Sequence, residues 1–392
     1  MSRIIEVSRL IIIFIIKIVL HFFWLFPVKK NRILFSCYEG NQFSCNPKYI
    51  FLALRKEFGN KYEYIWILNN EIKDPALDQI KKAKFLTVKY FYYICTSAVY
   101  INNVFFEPFV PKRKSQLFIN TWHGGGAYKG NSDERQNSVV MKIKDKMRDS
   151  ITDYYISSCE AFSKSWSHEF NIRYNKFLPI GLPRNDILIT DTDNVEKIKK
   201  IKTKLGIENK NKIVLYAPTW RFSTRSTAKV FNLDLDISAL LECLKNKYSD
   251  DFVFLFRGHH CMHDISFNSD DKYNFLDVTY YPDMQEILLI TDVFINDYSS
   301  SMWDFALTKR PGYLYTPDLK EYESEQHFLT PIDNWPYQYA ETFVNLLEII
   351  SKSNKQSQKE KIEKHIRDLG TYEKGNASMR VCSLIEKFCN EK

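Results

Sequence analysis

No two cysteines in this 392-residue chain are spaced as C-x-x-C, although eight are present (Cys37, Cys45, Cys95, Cys159, Cys243, Cys261, Cys382 and Cys389). That absence argues against a zinc ribbon, and the scatter argues against a disulfide framework, which leaves reduced thiols in a cytoplasmic setting. No small-residue cleavage site follows the apolar N-terminal stretch, where Phe26-Pro27-Val28-Lys29-Lys30 is a poor signal-peptide exit. The apolar stretch Leu10–Phe26 is only 17 residues, at the lower limit for spanning a bilayer, and Lys17 and His21 interrupt it. No short-period internal repeat is present.

What is present is the balance of a folded protein, with 45% hydrophobic, 15% aromatic and 26% charged residues. The length exceeds one ordinary core and predicts two domains. The net charge of +8 is uneven: residues 1–36 carry Arg3, Arg9, Lys17, Lys29, Lys30 and Arg32 against Glu6 alone. Those cations, with Trp24 and several Phe, suit a membrane-associating helix lying at an anionic membrane face, with a single span as the rival. Either arrangement leaves the body on the cytoplasmic side. The lysine-rich run 197–204 is explained more cheaply by a solvated helical face than by nucleic-acid binding.

Apolar strands alternate with amphipathic stretches along the chain, the pattern of α/β folding on parallel sheets. Strands are expected at 32–36, 62–68, 84–88, 98–102, 117–121, 154–158 and 177–180, with helices at 48–58 and 76–82. The second half repeats the pattern, with strands at 213–217, 252–257, 275–278, 293–296 and 312–315. Helices are expected there near 237–247, 283–290 and 301–307, then in a C-terminal series. The resulting division is a membrane-associating segment (1–30), an N-terminal Rossmann-like domain (31–190), a linker (191–212) and a C-terminal Rossmann-like domain braced by C-terminal helices (213–392). Two such domains facing across a cleft is the expected architecture.

The most informative stretch follows the expected strand at 117–121. Trp122-His123-Gly124-Gly125-Gly126-Ala127-Tyr128-Lys129 places an imidazole, three glycines and a lysine where open α/β sheets bind ligands. Glycines let backbone N–H groups approach a ligand, and an imidazole there accepts a proton near neutral pH. A satisfied loop histidine is the plain alternative, and a second constellation shifts the balance. Thr219-Trp220-Arg221, Arg257-Gly258-His259-His260 and Asp297-Tyr298-Ser299-Ser300 each follow an expected strand, and Arg380 lies near an expected helix start. Hydroxyls, guanidinium groups and the N–H groups opening a helix suit the phosphates of a nucleotide-linked donor. Asp297 does not suit phosphate contact and is expected to hold a loop or orient a donor. Adjacent histidines on an extended run point apart, so no metal site is expected at His259-His260-Cys261-Met262-His263.

At these residues the chain resembles the CDP-glycerol:poly(glycerophosphate) glycerophosphotransferases of teichoic acid synthesis. The resemblance runs from about residue 32 to 385 through Thr121-Trp122-His123-Gly124, Gly181-Leu182-Pro183-Arg184-Asn185-Asp186, Tyr216-Ala217-Pro218-Thr219-Trp220-Arg221, Arg257-Gly258-His259, Thr291–Ser300 with Asp304, and Gly375-Asn376-Ala377-Ser378 with Arg380. It implies a GT-B-like fold, peripheral attachment to the inner membrane face, and transfer of glycerol phosphate to a lipid-linked or polymer acceptor with release of CMP. It also implies His123 as base on the acceptor hydroxyl, with Gly124, Gly125, Gly126 and Lys129 on the acceptor side. His259, by the same likeness, contacts the donor phosphates, with Arg221, Arg257, Asp297, Ser299, Ser300 and Arg380 as donor-side groups and no cofactor. After Gly124 many members carry Thr-Pro, where this chain has Gly125-Gly126, and His260 stands where Pro is common. CDP-ribitol transfer, sugar transfer on the same fold and a non-catalytic membrane scaffold are the competing readings.

Overall fold

The computed structural model describes residues 2–130, 138–219, 235–258 and 275–391. The chain divides into two compact units, Met1–Asp186 with Thr371–Lys392, and Ile187–Gly370.

The first unit is built on seven parallel strands: β1 (Lys29–Ser36), β2 (Glu63–Ile67), β3 (Lys81–Ala83), β4 (Ser97–Asn102), β5 (Leu117–Asn120), β6 (Tyr154–Ser157) and β7 (Phe177–Pro179). Their order is β3-β2-β1-β4-β5-β6-β7. The chain steps outward from β1 to β3, then crosses back to place β4 on the other side of β1. That reversal is the switch point at which such sheets leave a crevice at their carboxyl ends. Strands covered on both faces read as continuous apolar runs; every residue of β4 and β5 is buried. The helix Cys45–Phe58 follows β1 and buries Ile50, Phe51 and Leu54 against Phe35, Tyr64 and Trp66. It ends at Gly59, whose φ of +54° closes the last turn through a hydrogen bond to the Arg55 carbonyl.

The second unit has six parallel strands: β8 (Lys212–Tyr216), β9 (Phe252–Phe256), β10 (Phe275–Asp277), β11 (Val293–Asn296), β12 (Gly312–Tyr315) and β13 (Gln338–Ala340), in the order β10-β9-β8-β11-β12-β13. Its switch point lies between β8 and β11. One face is packed by Leu240 and Leu244 of the helix Ile237–Tyr248 and by Leu346 and Ile350 of the helix Phe343–Lys352.

Several expectations are corrected. The segment 76–82 is not a helix: Asp74 caps a single 3-10 turn, Pro75–Leu77, and β3 follows. β3 carries exposed Lys81 and Lys82, the charged edge that discourages further pairing. The strand expected at 84–88 is absent; Thr87 instead caps the helix Val88–Thr96 by accepting from the Tyr90 N–H. The helix Val195–Lys204, read as a connection, belongs to the second unit and buries Ile201. The last helix, Ala377–Glu391, falls in the range expected for the C-terminal domain but belongs to the first unit, where Val381, Cys382 and Ile385 join the core beside Leu54. The Asp186 carboxylate fastens its start, accepting from Ala377 N (2.9 Å) and Ser378 N (2.8 Å). The seven cysteines among the described residues are all unpaired. Among these residues no helix is long and apolar enough to cross a membrane, and no group of three or more His, Cys, Asp or Glu converges to hold a metal.

Candidate active site

β5 delivers the chain to the carboxyl edge of the first sheet, next to the β1–β4 switch point. There Trp122 takes a left-handed conformation, with φ of +50°. A bulky residue held so costs about 1–2 kcal/mol, which the surrounding contacts must offset. The restraint is visible in three successive carbonyls. Asn46, at the start of its helix, donates through Nδ2 to the carbonyls of Thr121 (3.2 Å) and Trp122 (2.8 Å). Arg184, in the turn after β7, donates to the carbonyl of His123 (2.8 Å). The two holders are joined, since the Arg184 backbone N–H donates to Asn46 Oδ1 (3.0 Å).

The His123 ring is half-buried, stacked on Trp122 with centroids 4.3 Å apart and tilted to Tyr38 at 5.3 Å. Its Nδ1 lies 2.8 Å from the Asn103 carbonyl. A carbonyl only accepts, so Nδ1 carries the proton and Nε2 of the neutral ring keeps its lone pair. Burial pushes the His123 pKa down to about 4; the Asn103 hydrogen bond opposes that shift and the Arg184 charge adds to it. The imidazole is therefore neutral in the physiological range. Gly124 is half-buried, Gly125 and Gly126 are buried and Lys129 is half-buried. Gly126 sits at φ +69°, with its N–H on Ser158 Oγ (3.1 Å), and a Cβ there would come within 2.3 Å of the Tyr128 ring.

In the second unit the carboxyl ends of β9, β8 and β11 lie side by side. The Asp297 side chain is fully buried after β11 and reaches across the switch point to the turn after β8. It accepts the Thr219 N–H (2.9 and 2.8 Å to its two oxygens) and the Thr219 hydroxyl (2.6 Å), together with the Tyr298 N–H. Ser299 Oγ accepts from Ser301 N (3.3 Å) and the Ser301 hydroxyl (3.0 Å), at the start of the short helix Ser301–Ala306. Ser299 and Ser300 are half-buried there. Arg257 donates to the carbonyls of Val278 (3.0 Å) and Tyr281 (2.8 Å), so its guanidinium ties down the segment after β10.

Thus His123 and the glycine run share one strand end, while Arg257, Asp297, Ser299 and Ser300 share neighbouring ends of the second sheet. Arg380 lies on the last helix of the first unit, where it donates to the Pro179 carbonyl at the end of β7 (3.2 Å). His259 and Arg221 lie outside the described residues, as does the stretch His260-Cys261-Met262-His263. Sequence reasoning assigned no role to Asn46, Asn103 or Arg184. Arg184 stands in one of the motifs that carry the family likeness, whereas nothing in the linear pattern marks Asn46.

The profile of the family described as CDP-glycerol:poly(glycerophosphate) glycerophosphotransferase matches residues 18–387. A teichoic acid poly(glycerol phosphate) polymerase of Bacillus spizizenii is 31% identical over 97% of this chain and 98% of its own length. A protein of the same name from Staphylococcus epidermidis is 28% identical over 93% of this chain, which spans only 52% of that relative. Among solved structures, the wall teichoic acid polymerase TagF superposes with a TM-score of 0.81 at 27% identity, over 93% of this chain and 90% of that one.

Proposed function

This chain belongs to the CDP-glycerol:poly(glycerophosphate) glycerophosphotransferase family, and from that premise we propose that it transfers glycerol phosphate from CDP-glycerol to the hydroxyl of a lipid-linked or polymer acceptor, releasing CMP. The observation that carries the reading is His123. Its Nδ1 proton is committed to the Asn103 carbonyl, which leaves Nε2 to take the acceptor's hydroxyl proton. The acceptor oxygen forms a new bond to the glycerol-phosphate phosphorus as the bond from that phosphorus to the CMP oxygen breaks. An imidazole held near pKa 4 is a weak base by itself. An anionic donor at the reacting centre raises its proton affinity, which couples base strength to donor binding. On the donor side the Ser299 and Ser300 hydroxyls and the N–H groups around them suit phosphate oxygens, with Asp297 shaping the turn. In this reading protein groups meet the donor charge and no cofactor is called for.

The reading places the protein at the cytoplasmic face of the membrane. Its support is the helix Ser2–Leu20 with the turn after it, where Ile11, Phe14, Ile15, Ile18, Phe22, Trp24 and Leu25 are exposed beside Lys17, Lys29 and Lys30. Trp24 Nε1 donates to the Pro111 carbonyl, and Arg113 donates to the carbonyls of Phe23 and Phe26, so the apolar turn is fastened to the first unit.

The test is incubation of the full chain with CDP-glycerol and a lipid-linked acceptor. CMP release is expected, and His123→Ala lowers it by about 10²–10⁴-fold with an unchanged circular dichroism spectrum. A donor panel separates the alternatives: turnover of CDP-ribitol alone reassigns the polyol, and release of UDP or GDP from a sugar nucleotide refutes the proposal.

A further inference from the structure

We propose that Arg184 and Asn46 are positioning residues for His123, together setting where its imidazole stands and how readily it takes a proton. The inference rests on His123 acting as the base, and it deepens that reading. Three consecutive carbonyls, of Thr121, Trp122 and His123, are held by side-chain donors from two other segments. Peptide groups at a strand end ordinarily turn to water, and gripping three in a row removes the freedom of exactly the residues that carry the imidazole. The ring is the fourth fixed point, through Nδ1 and the Asn103 carbonyl. Arg184 is itself held: it is 6% exposed, its guanidinium also donates to Cys45 Sγ (3.4 Å), and its N–H donates to Asn46. The clamp is therefore a connected frame spanning β5, the helix after β1 and the turn after β7.

Arg184 brings a charge as well as a hydrogen bond. Among the described residues, Tyr38 and Cys37 after β1, Cys45 at the helix start and Arg184 are titratable groups beside the ring, and Lys129 lies farther along the same loop. Burial pushes the Tyr38 hydroxyl and the Cys37 thiol up, so both stay neutral at working pH. Arg184 is a charged group that acts on His123 among the described residues, and a cation opposes formation of the imidazolium. Removing it raises the proton affinity of the ring.

The experiment compares Arg184→Gln, Arg184→Lys and Asn46→Ala in the full chain. For Arg184→Gln, kcat falls by about 10²-fold while KM for CDP-glycerol holds, since a displacement near 1 Å costs that much in a positioned base. The acid limb of the pH profile moves to higher pH, and NMR titration of the His123 ring, which needs no turnover, moves the same way. Arg184→Lys keeps the charge and returns the acid limb toward its original place. Asn46→Ala lowers kcat and leaves the acid limb where it was. A fall in kcat with an unmoved limb and an unmoved NMR titration in Arg184→Gln overturns the inference, as does a kcat within threefold of the parent. If His123→Ala stays active, the base assignment fails, and the NMR titration still decides whether Arg184 governs the ring.

Discussion

Removing the Asp297 carboxylate is the sharpest test of how the second unit is held together at its switch point. The side chain has no exposure to solvent and serves Thr219 N, Thr219 Oγ1 and Tyr298 N. In Asp297→Ala the Thr219 hydroxyl can rotate to another acceptor, but two N–H groups lose theirs. Each buried donor left unmet costs about 1–3 kcal/mol, and the bonds lost were charge-assisted, so a destabilisation of about 3–5 kcal/mol is expected. Asp297→Asn keeps one acceptor oxygen and points an amide donor at the Thr219 N–H, for a loss of about 1–3 kcal/mol. For a unit of this size each kcal/mol moves Tm by roughly 2–4 °C, so the alanine variant falls by about 10 °C. Urea and thermal unfolding without donor, read by circular dichroism, measure the order alanine worse than asparagine worse than parent. If Asp297→Ala unfolds within 1 kcal/mol of the parent, the carboxylate does not hold the Thr219 turn, and its place in the donor-side argument goes with it.

Two further outcomes follow from other parts of the molecule. His365, 5% exposed and held by the Asn334 carbonyl at 2.7 Å, has its pKa pushed down by burial to about 4. Its folded value lies below the unfolded one near 6.5, so the unfolded chain binds the extra proton first: the penalty is absent above about pH 6.5, grows as pH falls, and is complete below about 4. That amounts to about 3 kcal/mol, and His365→Gln is expected to flatten the stability–pH curve in that window when urea midpoints are compared from pH 7 to 4. The N-terminal helix gives the second: vesicles rich in anionic lipid are expected to sediment the protein, and replacing Ile15, Ile18 and Phe22 by Ser abolishes sedimentation. Equal recovery with neutral vesicles would show that Lys17, Lys29 and Lys30 contribute nothing to attachment.

Most strands were legible because parallel strands covered on both faces must be written as apolar runs; β1, β2, β8 and β11 fall within a few residues of where the pattern puts them. β3 was not, because a three-residue edge strand of Lys81-Lys82-Ala83 has no apolar alternation to read. Val88–Thr96 was missed for the opposite reason, being a helix rich in the aromatic and β-branched residues that favour strands. The position of His123 at a strand end was likewise legible, from the apolar run before it and the glycines after it.

What the linear chain determined by itself is therefore the class of fold, its repetition in two halves, and the identity of the imidazole and hydroxyl groups at the strand ends. Tertiary structure alone decided which distant residues serve them. Asn46 and Arg184 are 138 positions apart and meet because the helix after β1 packs against the turn after β7. The helix that carries Arg380 belongs to the first unit because Val381, Cys382 and Ile385 find their apolar partners there. Burial is a property of neighbours, and neighbours far apart in the chain leave no periodic mark on it. The proton affinity of His123, set by burial, one carbonyl and one guanidinium, is the plainest instance.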